Sequence, residues 1–182
     1  MKDLTKKMCF RPWDFMEIQD DTNMYPCCPN WVNQYNFGKV RISEGFENRW
    51  NGEKAQRFRE SILDGSYKYC NRTQCPMIQN GSLPDKNDIR DGKHGEYYKK
   101  IIEDNVLISE NADFINLCYD VSCNLKCPSC PHSIIGTEVP KGSMTIETFK
   151  SVFDTNKIAF SSACKHIHKS KCLAVILSNS LY

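Results

Sequence analysis

Cys123, Cys127 and Cys130 stand in the stretch CNLKCPSC, with three and then two residues between them. A closed metal site usually takes four ligands, so three close thiolates either recruit a fourth or leave one coordination position open. A cubane of four irons and four sulfides takes one thiolate per iron, and three thiolates leave one iron without a protein ligand. Catalytic zinc follows the same logic, keeping one position for the reacting species. Asn124 suits a sharply turning backbone, and Pro128 stiffens the loop between the second and third thiols. Cys118 could complete a four-cysteine site, although on a strand it reads as a small core hydrophobe.

The loop needs elements to hold it. Before it, DFINLCYDVSC carries Phe114, Ile115, Leu117, Cys118 and Tyr119, an apolar run expected of a buried strand in a parallel sheet. After it, SMTIETFKSVFD offers Ser143 or Thr145 as an N-cap and a helical stripe of Ile146, Phe149, Val152 and Phe153. Strand, loop and helix make the βα unit of an α/β protein, with the loop at the carboxyl end of the strand, where such folds place chemistry.

Cys9, Cys27, Cys28, Cys70 and Cys75 occupy the first half of the chain. There FMEIQDDTNMYPCC alternates apolar and polar residues on both sides of Asp20–Asn23, which predicts a β-hairpin. ENRWNGEKAQRFRESILDG spaces Trp50, Lys54 or Ala55, Phe58 and Ile62 about four apart, as one amphipathic helix stopped by Gly65. NGSLPDKNDIRDGKHG reads as a linker, and EYYKKIIEDNV as a short helix. Trp13, Trp31 and Trp50 are expected in the core or as cover for a metal group. His94 and His132 are expected at the surface, and the cluster Cys164, His166, His168 and Cys172 carries no assignment.

Composition narrows the classes. Hydrophobic residues make up 40% and charged residues 25%, so the chain is globular. A net charge of +2 gives no case for nucleic acid or a membrane surface as partner. The N-terminus has no apolar h-region, and the longest apolar run, Leu173 to Leu177, is far below the ~20 residues that span a bilayer. The expected location is the cytoplasm, where eleven cysteines point to metal rather than disulfides.

The segment YDVSCNLKCPSC resembles the C-x3-C-x2-C loop of radical S-adenosylmethionine (radical SAM) enzymes. The resemblance implies that Cys123, Cys127 and Cys130 hold a 4Fe-4S cluster whose open iron binds S-adenosylmethionine. One electron then cleaves the cofactor to a 5′-deoxyadenosyl radical. CFRPWDFMEIQDDTNMYPCC and RWNGEKAQRFRESILDGSYKYCNRTQCP resemble a SPASM-type auxiliary cluster domain. That likeness implies an auxiliary 4Fe-4S cluster on Cys9, Cys27, Cys70 and Cys75, with Cys28 the rival of Cys27. Adjacent residues of an extended strand point opposite ways, so one of the two faces the cluster.

The expected fold is therefore α/β, α+β overall. A SPASM-like cluster domain spans 1–85, a linker and short helix 86–110, and the first βα unit of an incomplete radical SAM barrel 111–182. The stretch from Asn111 to Tyr182 is far shorter than the ~200 residues of a complete barrel. Residues 155–182 contain no Asp or Glu, an atypical tail that reads as a truncation or frameshift product. The resemblance further implies a peptide or small-metabolite substrate and a one-electron donor such as flavodoxin or ferredoxin. The alternatives are a non-catalytic iron–sulfur electron-transfer module and a zinc-bound structural protein.

Overall fold

The computed structural model describes residues 2–19, 21–41, 47–89, 95–109, 112–118 and 173–176. A short helix α1 (Arg11–Asp14) leads directly into strand β1 (Phe15–Gln19). Pro12 sits in the first turn of α1, where its missing N–H costs nothing. β1 turns back through Thr22, at φ 67°, into β2 (Asn23–Tyr25), pairing Ile18 with Met24 and Glu17 with Tyr25. The expected hairpin is present. A 3-10 turn over Pro29–Val32 follows, and β3 (Gly38–Lys39) adds to the outer edge of β2.

The amphipathic segment forms two helices, α2 (Glu47–Trp50) and α3 (Glu53–Leu63), rather than one. The break falls at Asn51–Gly52. Gly52 is extended (φ −67°, ψ 169°), and a Cβ there would meet the Asn48 carbonyl at 2.5 Å. Trp50, Ala55, Phe58 and Ile62 are nevertheless all buried, so the apolar face runs across the break. Gly65 ends α3 at φ +78°, pressed against the Thr5 backbone, as its position in the sequence predicts.

Helices α4 (Pro76–Gln79) and α5 (Gly95–Glu103) complete the described helical elements, and strand β4 (Phe114–Cys118) follows. The segment expected to be a free linker is partly fixed. Leu83 is in the core, Met8 N–H donates to Pro84 O (3.0 Å), Lys86 N–H donates to Lys6 O (2.8 Å), and Lys7 pairs with Asp85 (3.1 Å). Pro84, Asp85 and Lys86 make this part of the segment a strap across the N-terminal segment.

β4 lies beside the hairpin, parallel to β1, with Met16 opposite Ile115 and Ile18 opposite Leu117. A last strand, β5 (Leu173–Ile176), pairs antiparallel with β4, giving the described sheet the order β3-β2-β1-β4-β5. The strand expected over the DFINLC run thus forms in a mixed sheet, not a purely parallel one. Ile115 is buried, whereas Phe114 is 45% exposed. Across the β1–β4 pair, Asn116 Nδ2 donates to Glu17 Oε2 at 3.1 Å, which gives the buried Glu17 carboxylate a partner.

Below the sheet, Met16, Ile18 and Met24 meet Trp13, Trp50, Phe58 and Ile62 in a single core. Arg59 is fully buried among them. Its Nε donates to Pro12 O (2.9 Å), and its Nη1 donates to Asn51 Oδ1 (2.9 Å) and Leu107 O (2.7 Å). The guanidinium lies 4.7 Å from the Trp50 ring centroid. Burial lowers its pKa to about 10, so it keeps its charge at neutral pH. Ser109 extends the same junction, its N–H donating to Asn51 Oδ1 and its Oγ to Trp13 O. One guanidinium and one amide thereby tie α1, the α2–α3 break and the segment after α5 together. Among the described residues, no helix is long and apolar enough to cross a membrane.

Candidate metal centre

The sequence scatters Cys9, Cys27, Cys70 and Cys75 over three segments, and the fold brings all of them to the wall of one cavity. Cys9 precedes α1, whose attachment to Arg59 through Pro12 O fixes the turn. Cys27 ends the chain leaving β2, and the Cys28 carbonyl accepts from Trp31 N–H (2.9 Å) to start the 3-10 turn. Cys70 follows α3, its N–H donating to Tyr67 O (3.0 Å). Cys75 is the N-cap of α4, followed by Pro76 at the first helical position.

The loop between Cys70 and Cys75 is organised by Asn71. Its Oδ1 accepts from Thr73 N–H (3.2 Å), Thr73 Oγ1 (2.8 Å) and Gln74 N–H (3.2 Å). This is the local side-chain turn that Asn offers at low cost. The Asn71 backbone N–H donates to Trp31 O at 2.7 Å, so the second pair of cysteines is stitched to the segment carrying the first.

Phe58, Ile62, Met77 and Ile78 line the rest of the wall, with Trp31 and Tyr67. The space measures about 400 Å³, including the part open to solvent. Tyr67 is buried at φ 46° and donates its hydroxyl to Lys7 O (3.0 Å). Cys28 is half-buried but does not line the cavity.

The thiols that line the cavity act on one another electrostatically. Burial pushes the Cys9 thiol up to about 11, Cys75 adds to the shift, and the Arg11 backbone N–H and guanidinium oppose it. Burial raises Cys27 further, with contributions from Cys9, Cys70 and Cys75. Burial also raises Cys70, with Cys9 and Cys75 adding and Arg72 opposing. Thiols that are costly to ionise in an apolar pocket become thiolates when a cation is bound between them.

The donor set fits a metal–sulfur group. Its ligands are all sulfur and its wall is apolar, which suits an iron–sulfur cluster or zinc. Among the described residues, no three His, Cys, Asp or Glu side chains close on a point as ligands of a single metal ion do. The four thiols surround a space instead.

Trp31 covers this space, while Trp13 and Trp50 are core residues. Two contributors have no place in the sequence reading: Arg11, two residues after Cys9, and Tyr67, three before Cys70. Their proximity to cysteines in the chain is the signal that could have found them. Cys123, Cys127 and Cys130 lie outside the described residues, as do the helix expected after them, the four histidines, Cys164 and Cys172.

No curated protein and no solved structure matches the chain. One family model does match, over residues 9–76, the stretch that contains all four cavity cysteines. That stretch is similar to the SPASM domain, an iron-sulfur cluster-binding domain.

Proposed function

We propose that Cys9, Cys27, Cys70 and Cys75 hold an auxiliary 4Fe-4S cluster, and that Cys123, Cys127 and Cys130 hold a second, SAM-type 4Fe-4S cluster. With that second cluster the protein would generate a 5′-deoxyadenosyl radical from S-adenosylmethionine. The observation that carries the first half of this reading is the shared cavity, four thiols from three segments inside a SPASM match. The second half rests on the sequence of the CNLKCPSC loop.

When bound, such clusters supply one electron at a time. The chain's own residues do the rest. The four cysteines leave no coordination position open at the auxiliary site, which suits electron transfer or structural support rather than substrate binding. Phe58, Ile62, Met77 and Ile78 keep water from the wall. A one-electron donor of the flavodoxin or ferredoxin kind and a peptide or small-metabolite substrate complete the proposal, and the cytoplasm is its proposed location.

Iron content tests it. Anaerobically reconstituted protein should hold about eight irons per chain, four for each cluster. Changing Cys123, Cys127 and Cys130 together to Ala should leave about half. Unchanged iron would remove that loop from the ligand set, and a colourless zinc protein would overturn the reading altogether.

A second reading is a non-catalytic iron–sulfur electron-transfer module. The antiparallel pairing of β5 with β4 favours it, because the strands of a (β/α) barrel are all parallel. Reductive cleavage of S-adenosylmethionine separates the two.

A further inference from the structure

The cavity wall has one charged residue among those described. Arg11 lines it together with the four cysteines. Its guanidinium lies 4.8 Å from the Phe15 ring centroid and 5.6 Å from that of Trp31. Two aromatic faces therefore hold a planar cation at the mouth of the cavity, an arrangement suited to Arg rather than Lys. Among the described residues, no carboxylate forms an ion pair with it. Arg11 itself is exposed, and Asp14 is the carboxylate that acts with it on Cys9.

We propose that Arg11 sets the reduction potential of the group held by Cys9, Cys27, Cys70 and Cys75, acting as a fixed cation at the rim of their cavity. The inference rests on the auxiliary-cluster reading above. A cubane with four thiolates is negatively charged, and an electron taken from an external donor makes it more so. A cation held beside it stabilises the reduced state more than the oxidised state, which raises the potential; net charge and solvent exposure are known levers on such clusters. The side chain does this without ligating. Arg11 is thus a positioning and tuning residue. Its backbone N–H, which also favours a thiolate at Cys9, is unaffected by substitution of the side chain.

The test uses the full chain carrying Cys123→Ala, Cys127→Ala and Cys130→Ala, so that one cluster is observed. Its midpoint potential is measured by spectroelectrochemical titration with Arg11, with Arg11→Gln and with Arg11→Lys, alongside iron content. The expected result is a more negative potential for Arg11→Gln at unchanged iron, with Arg11→Lys between the two. High salt should lower the potential of the Arg11 protein toward that of Arg11→Gln, since a rim charge is screened. Equal potentials for Arg and Gln at equal iron overturn the inference and leave the cluster reading standing. If Arg11→Gln loses iron, the salt titration of the Arg11 protein decides, and a flat response overturns the inference. Absence of iron from the Arg11 protein itself overturns the reading beneath it.

Discussion

Cys27 and Cys28 are chain neighbours with different surroundings. Cys27 lines the cavity with Cys9, Cys70 and Cys75, and Cys28 does not. Cys27→Ser is therefore expected to cost most of the auxiliary iron, whereas Cys28→Ser should keep it, as iron analysis after anaerobic reconstitution would show. Equal loss would mean that the two thiols exchange roles. At this scale the sequence was informative where residue type alone sufficed. A thiol announces its chemistry. Tyr67 does not, because its place in the wall depends on a left-handed backbone and a hydroxyl bond to Lys7 O, sixty residues away. Arg11 was equally silent, since its value lies in the rings of Phe15 and Trp31 that hold it.

Among the elements, α3 shows what periodicity can and cannot read. Its buried stripe and its stop at Gly65 follow from spacing and residue type. Gly65 combines φ +78° with a backbone contact that a Cβ would bring to 2.5 Å. Gly65→Ala should lower stability by about 2 kcal/mol or more, from left-handed strain plus the clash, measured by urea unfolding. The division into α2 and α3 was not legible, because it answers to Arg59 and Ser109, which meet Asn51 from other parts of the chain. Arg59→Ala would leave the carbonyls of Pro12 and Leu107 short of a donor, while Asn51 Oδ1 would keep the Ser109 N–H. At ~1–3 kcal/mol for each such group, a loss of about 3 kcal/mol or more is expected in the same assay. A near-neutral result would show that the core closes over the site.

For the whole molecule, the proposed cluster would share the work of folding with the core. The cavity wall uses Phe58, Ile62 and Ile78, which are also core residues, so an empty or damaged centre should loosen both. Cys9→Ala or Cys75→Ala should reduce the soluble yield more than Cys164→Ala; equal tolerance of all three would show that the first half folds on its apolar core alone. Activity is a separate matter. On the proposed reading, Cys123, Cys127 and Cys130 would supply an open iron, but cofactor contacts from several strands would have to preorganise around it. The isolated chain is expected to cleave S-adenosylmethionine poorly, as measured by 5′-deoxyadenosine release, and robust release would point to a partner or a second copy completing the site. The mixed-sheet topology was the part of the fold least open to sequence reasoning. The apolar run at Phe114–Cys118 predicts a strand, but nothing in it names β1 as the neighbour.

That neighbour has a consequence for synthesis on the ribosome. All four cavity cysteines have been translated by residue 75, whereas β4 ends at Cys118. Nascent chains emerge at ~5–20 residues per second, so the metal-binding half is exposed for seconds before its sheet partner arrives. During that interval the long edge of β1 is unpaired, and an unpaired edge invites other strands. Cluster delivery in this window would hold the hairpin, α3 and α4 in place ahead of β4. Iron starvation during expression should then yield aggregates formed at the nascent-chain stage, rather than a folded protein awaiting its metal.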